Sequence, residues 1–141
     1  MFGAFFLAVV LNGTLDPVAV RSVVADLNRA RLRASVPVLT LDPRLSALAL
    51  ERAEDMLHRH YFGHVDPDGK TVIDALRASS YPYSYAGENL ALAPTVVAAE
   101  RGLWNSPGHR ENLIDAHYRR IGVAVVRTND DESYVVQVFS D

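Results

Sequence analysis

The 141-residue sequence contains no cysteine, and only one of its 14 Lys and Arg residues is a lysine, Lys70. Without cysteine, thiol catalysis, disulfide bonds and cysteine-ligated zinc are all excluded. An excess of positive charge is also absent, because the formal net charge is -3. A protein without a positive field is not drawn to polyanions, so we expect no nucleic acid partner.

Long hydrophobic runs are missing as well. The strongest run, residues 2–11, is shorter than the roughly 20 residues that a membrane-spanning helix needs, so we predict no transmembrane span. The run is similar to the apolar part of a secretory signal, but no Lys or Arg precedes it and no A-x-A site follows it. Two interpretations stay open: an export-signal remnant, or a segment that packs on the domain. We treat residues 1–15 as this apolar segment and residues 16–141 as one domain.

Start signals for helices stand out in the first half of the chain. Asp16-Pro17 and Asp42-Pro43 each place an N-cap residue before a proline, which suits the first helical position. The second helix has the clearest pattern, and we expect it to end near Tyr61. Its apolar stripe consists of Leu45, Leu48, Ala49, Ala53, Met56 and Leu57, whereas the charged residues Arg44, Glu51, Arg52, Glu54 and Asp55 are expected to face water.

The second half of the chain alternates short helices and strands. Thr71 followed by Asp74 approximates a capping box and predicts a short helix to about residue 78. Further patterns predict a strand over 86–93, helices over 95–104 and 106–114, and a hairpin with strands over 120–128 and 133–140. These elements predict an α+β fold in which helices cover a small antiparallel sheet. No nucleotide-binding glycine motif is present.

Three side chains are candidates for chemistry. His60 and His64 would share one helix face and could bind a metal, but Gly63 indicates that the helix has ended by then. Glu88 falls on the apolar face of its predicted strand, where a carboxylate needs a cationic, metal or hydrogen-bonding partner, unless Gly87-Glu88 forms a bulge and the carboxylate is solvated. His109 lies in the first turn of a helix, where the dipole favours neutral imidazole. It could instead simply pack against Trp104.

These residues belong to a series of motifs that resembles the CAP superfamily of cysteine-rich secretory, antigen-5 and pathogenesis-related proteins. The series spans about residues 18–140. It consists of Asn28-Arg29-Ala30-Arg31, Pro37-Val38-Leu39, His64 before Asp66-Pro67-Asp68-Gly69, the Gly87-Glu88-Asn89 signature, Trp104 to Leu113 with its S-P-G-H-R segment, and the closing strands. Several motifs in order are far more specific than any single one. The S-P-G-H-R segment is similar to that of the bacterial, cysteine-free branch.

The resemblance implies an α-β-α sandwich with a polar cleft over the sheet. By the family pattern, His64 and His109 would bind zinc or another divalent metal, Glu88 would be the cleft carboxylate, and Asn89, Ser106 and Asn112 would support the cleft. The family's second glutamate would fall at Pro107 and is missing here, and we assign its role to neither Glu100 nor Glu111.

Three functions follow as hypotheses from this resemblance. The first is a secreted or cell-envelope binding module whose cleft takes a metal and a small hydrophobic, lipid or envelope-derived ligand, with Tyr81, Tyr83 and Tyr85 either rimming the cleft or packing within their loop. The second is a metal-dependent hydrolase of peptide or cell-wall material, with Glu88 as general base. The third is a purely structural cluster of His64, Glu88 and His109.

Overall fold

The structure, a computed structural model, describes residues 9–10 and 13–141. This part of the chain forms five helices and six strands. The helices are α1 (Pro17–Arg33), α2 (Pro43–Arg59), α3 (Val72–Ala78), α4 (Val96–Asn105) and α5 (Pro107–Ile114). The strands are β1 (Val9–Val10), β2 (Gly13–Leu15), β3 (Thr40–Leu41), β4 (Ala86–Ala93), β5 (Arg120–Thr128) and β6 (Ser133–Ser140).

The helix starts follow the sequence signals. The Asp16 side chain accepts a hydrogen bond from the backbone N–H of Ala19, and the Asp42 side chain accepts from those of Arg44 and Leu45. Each carboxylate thus satisfies N–H groups that have no partner within the helix. Helix α2 ends at Arg59, and the left-handed backbone of its C-cap residue, His60, stops the helix four residues before His64. The helical-face metal pair of His60 and His64 therefore does not form.

The strands form one sheet in the order β1-β2-β5-β6-β4, with β3 pairing separately with β5. All pairs along the main path are antiparallel, and the β3–β5 pair is parallel. The β5–β6 hairpin therefore occupies the centre, as its apolar residues on both faces predict. Strand β4 lies at one edge of the sheet, so residues from the helical layers on both faces can meet beside it.

Two apolar cores cover the two faces of the sheet. Helices α2 and α3 pack with Leu90, Ala124 and Val136 on one face. Helices α1, α4 and α5 pack with Ile121 and Phe139 on the other face. This arrangement is the predicted α-β-α sandwich.

The N-terminal segment is described only in part. Strand β2 pairs with residues 126–128 of β5, and β1 pairs with β2, so these five residues join the sheet. The rest of the segment, and with it most of the export-signal interpretation, lies outside the described residues. The proposed division at residue 15 stays a prediction.

Candidate functional site

The three candidate side chains meet beside β4. His64 lies in the loop after α2, Glu88 lies on β4, and His109 lies in the first turn of α5. The Nδ1 atom of His64 donates a hydrogen bond to Oε1 of Glu88 at 2.9 Å. The ring centroids of His64 and His109 lie 6.5 Å apart, with an angle of 34° between the planes. Residues from both helical layers of the sandwich thus converge on one spot.

Glu88 has a cationic partner that the sequence interpretation missed. Arg52 Nε donates to Oε2 of Glu88 at 2.8 Å, and Nη2 donates to Oε1 at 3.1 Å. The side chains of Arg52 and Glu88 are only 8% and 4% exposed. The prediction that Arg52 faces water is therefore wrong. Glu88 also keeps regular register opposite Val138, so the bulge interpretation is wrong too.

Arg52 also fixes the loop that carries His64. Its Nη2 atom donates to the carbonyls of Gly63 and His64 at 3.2 and 3.1 Å, and Nη1 donates to the Tyr61 hydroxyl at 3.4 Å. One guanidinium thus joins α2, the loop and β4 by charge-assisted hydrogen bonds, which are stronger than neutral ones. The signal for this role was present in the sequence, because Arg52 stands seven residues after Leu45 and four before Met56, on the apolar stripe.

His109 is held at its Nδ1 atom, which lies 2.8 Å from Oγ of Ser106. Partial burial lowers the pKa of the His109 imidazole, and the nearby His64 lowers it further. The direction agrees with the neutral imidazole expected at a helix start, but it results from burial and from His64 rather than from the helix dipole. A neutral imidazole retains a lone pair that can bind a metal or a proton.

The supporting residues form a polar network behind His109. Asn89 Nδ2 donates to the backbone carbonyl of His109 at 3.1 Å, and Asn112 Nδ2 donates to Oδ1 of Asn89 at 2.9 Å. Asn112 also reaches the carbonyl of Glu88 at 3.4 Å. The residues named as cleft support, Asn89, Ser106 and Asn112, therefore all contact the site or one another.

Other candidates lie away from this cluster. Glu111 is exposed, and Pro107 brings no carboxylate. Tyr81 is buried, and its hydroxyl donates to Asp42, so it does not rim a cleft. Tyr83 packs against the apolar core, and Tyr85 stacks on His117 at 4.3 Å. Phe62 and Val65, on either side of His64 in sequence, are 47% and 56% exposed.

The metal-binding capacity of the cluster rests on two imidazole nitrogens. Both Nδ1 atoms are engaged, and neither Nε2 atom has a hydrogen-bond partner within the described part of the chain. No group of three His, Cys, Asp or Glu side chains there could hold a metal ion. Two Nε2 ligands on one zinc would place the ring centroids about 5 Å apart, so the rings would have to approach by about 1 Å. The His64 ring, 54% exposed, has room to turn.

The fold and the cluster define an α-β-α sandwich with a His/Glu centre beside an edge strand. Residues 24–139 match the cysteine-rich secretory protein (CAP) family. This match covers most of the chain, and the chain belongs to that family. With no cysteine, it fits the cysteine-free bacterial branch.

Relatives with known sequences or structures agree with this assignment. The chain is 30% identical over 109 residues to the uncharacterized protein YkwD of Bacillus subtilis, covering 77% of this chain and 42% of that protein. It is 32% identical over 113 residues to the uncharacterized membrane protein YlbC of B. subtilis, covering 79% of this chain and 31% of that protein. The chain thus spans less than half the length of these curated relatives.

Solved structures share the fold. An extracellular protein containing an SCP domain from Bacillus anthracis superposes with a TM-score of 0.77 at 30% identity, covering 85% of this chain and 39% of that one. An outer surface protein of Borrelia burgdorferi superposes with a TM-score of 0.80 at 22% identity, covering 92% of this chain and 98% of that one.

No helix in the described residues is long and apolar enough to cross a membrane.

Proposed function

We propose that this chain is an extracytoplasmic binding module whose cleft binds a divalent metal, such as zinc, through Nε2 of His64 and of His109. The observation that carries the proposal is the pairing of two imidazoles whose Nδ1 atoms are both engaged. When Nδ1–H donates to a neighbouring oxygen, the neutral ring presents its lone pair at Nε2. Two protein ligands make a weak site, in which water completes the coordination shell.

The buried carboxylate favours orientation of His64 over proton abstraction. Glu88 already accepts three hydrogen bonds, two from Arg52 and one from His64, so its lone pairs are largely occupied. The arrangement is typical of a carboxylate that fixes the tautomer and ring position of a ligand histidine. The occupied lone pairs of Glu88 favour the binding module over the alternative of a metal-dependent hydrolase with Glu88 as general base, which stays a prediction.

The surroundings of His64 support an apolar part in the ligand. Phe62 and Val65 lie close to His64 along the chain and are about half exposed, and Phe62 contacts Tyr134 edge to face at 6.0 Å. A ligand that combines a polar group for the cleft with an apolar portion would use both features.

The extracytoplasmic location rests on family membership and on the B. anthracis relative, which is an extracellular protein. Detection of the native protein in the medium or envelope fraction tests that location.

Metal analysis of chelator-free protein and thermal melts with and without zinc test the cleft. At a free zinc concentration a hundredfold above Kd, bound zinc should stabilise the wild type by about 2.7 kcal/mol, which raises Tm by roughly 5–10 °C. The double variant His64→Ala/His109→Ala should lose this increase. The matched control is His58→Ala, an exposed histidine on α2, which should keep it. A wild type without a zinc response, or a double variant with the full response, contradicts the proposal.

A further inference from the structure

A buried row of side-chain amides links α4 to the cleft. Gln137 Nε2 on β6 donates to Oε1 of Glu100 on α4 at 3.1 Å. Asn89 Nδ2 on β4 then donates to Oε1 of Gln137 at 3.2 Å and to the His109 carbonyl at 3.1 Å. Asn112 completes the row by donating to Oδ1 of Asn89. We call Gln137, Asn89 and Asn112 the amide chain; its first two members are 0% exposed.

The direction of the amide chain depends on what stands at its end. A primary amide has an NH₂ donor at one side and an oxygen acceptor at the other, and rotation by 180° exchanges them. An ionised carboxylate only accepts hydrogen bonds, so Glu100 requires the NH₂ group of Gln137 to face it. This orientation leaves the Gln137 oxygen for Asn89, whose NH₂ group can then also reach the His109 carbonyl.

We propose that Glu100 is a positioning residue for the cleft: its carboxylate sets the direction of the amide chain and thereby holds the His109 backbone against β4. This role deepens the proposed function and rests on it only for the consequence at the metal site. Glu100 lies outside the family motifs, four residues before Trp104, and the sequence pattern gives it no role. It does not touch His109 itself, and it acts through Gln137 and Asn89.

The protonation of Glu100 supports the inference. Burial, with a smaller contribution from the charge of Asp26 on α1, raises the pKa of the Glu100 carboxyl to about 7. Asp26 is itself paired with Arg29. From β4 and β6 the neutral amides of Asn89 and Gln137 face this region, and α5 contributes the backbone carbonyl of His109. A protonated carboxyl can donate as well as accept, so below about pH 7 Glu100 no longer requires the NH₂ group of Gln137 to face it.

Nuclear magnetic resonance of the side-chain amides in metal-free protein tests the inference. In the wild type, the Gln137 and Asn89 NH₂ signals should shift between pH 8 and 6 with a midpoint at about 7. Glu100→Gln should abolish this transition, and because an amide accepts either orientation of Gln137, it should speed hydrogen exchange of the Asn89 amide about tenfold, the change expected when the Asn89–Gln137 hydrogen bond is no longer enforced. Glu100→Asp retains the carboxylate and should retain a transition. The control Glu111→Gln, an exposed change of the same kind on α5, should leave both signals unchanged.

Two results would overturn the inference: Gln137 and Asn89 amide signals in the wild type that show no transition anywhere between pH 4 and 8, or an Asn89 signal in Glu100→Gln that exchanges as in the wild type. The first needs no variant, so it decides the question even if Glu100→Gln does not fold. Zinc affinity, measured separately, should fall about threefold to tenfold in Glu100→Gln and remain unchanged in Glu111→Gln. Because the amide signals are recorded without metal, an absent zinc response contradicts the proposed function and leaves the test of Glu100 intact.

Discussion

At the scale of single residues, the buried ion pair of Arg52 and Glu88 is the interaction most sensitive to substitution. Both side chains lie in the interior, and removal of two charges from water costs several kcal/mol per ion. Their mutual attraction and the additional bonds from Arg52 to the Gly63 and His64 carbonyls offset that cost. The pair therefore matters more for holding His64 beside β4 than for net stability, and loss of one partner should be worse than loss of both.

Replacement of Arg52 tests this argument. Arg52→Ala leaves the Glu88 carboxylate buried without its cation, and we expect a loss of about 3–5 kcal/mol in the free energy of unfolding, measured by urea denaturation. The double variant Arg52→Met/Glu88→Leu removes both charges with similar volume and should recover most of that loss. As a control, Arg101→Ala on the exposed side of α4 should change stability by less than about 0.5 kcal/mol. A double variant less stable than Arg52→Ala would show that the pair is strongly stabilising.

At the scale of elements, the register between α2 and β5 depends on a glycine. A Cβ atom at Gly122 would collide with the backbone carbonyl carbon of Leu45 and with the backbone nitrogen of Ser46. Both contacts are with backbone atoms at the start of α2, so a side chain could be accommodated only if the helix moved. Since Arg52 projects from the same helix, displacement of α2 would also disturb the cleft.

Two glycine-to-alanine substitutions distinguish the steric effect of this contact from the general effect of glycine on helix stability. Gly122→Ala should destabilise the protein by about 3 kcal/mol through overpacking. Gly102→Ala, within α4, meets no atom within 4 Å and should stabilise the protein by about 0.5–1 kcal/mol because alanine favours helix. Thermal or urea unfolding measures both. Equal effects of the two substitutions would show that close approach at Gly122 is unimportant.

Elements were predictable where local chemistry decides them. Pro17, Pro43 and the Thr71–Asp74 capping box marked helix starts that the structure confirms, and the strands over 86–93, 120–128 and 133–140 were predicted with their observed limits. The two-residue strand β3 was not predicted, because two residues carry no alternation and their pairing with β5 is a long-range contact. Likewise, charge suggested that Arg52 is exposed, whereas its partner Glu88 lies 36 residues away and is invisible to helical periodicity.

At the scale of the whole molecule, groups with a lowered pKa and groups with a raised pKa change the stability of the fold with pH in opposite directions. Burial opposes the charge of the Asp42 carboxylate, but hydrogen bonds from the Tyr81 hydroxyl and from backbone N–H groups, together with nearby Arg120, lower its pKa. A carboxyl of this kind stabilises the fold above the unfolded pKa, and this contribution is lost as the pH falls through the folded pKa. Glu100 acts in reverse, because burial raises its pKa from 4.5 to about 7. The stability that protonated Glu100 contributes is fully present below pH 4.5 and is lost as the pH rises to about 7. His109, with its lowered pKa, adds stability as the pH rises towards 6.5 and partly offsets Glu100.

The Glu100→Gln variant isolates the contribution of this carboxyl to the whole fold. An amide does not titrate, so the variant should lack the loss of stability between pH 5 and 8 that the wild type owes to Glu100. A pKa difference of this size corresponds to roughly 3 kcal/mol, and partial solvation of the side chain reduces the expected loss to about 1–3 kcal/mol. Urea unfolding of both proteins at pH 5, 6, 7 and 8 measures the difference, and only the change in that difference with pH is diagnostic, because the substitution also alters the amide chain. If the two stability curves run parallel from pH 5 to 8, Glu100 titrates at its ordinary value and burial does not govern its charge.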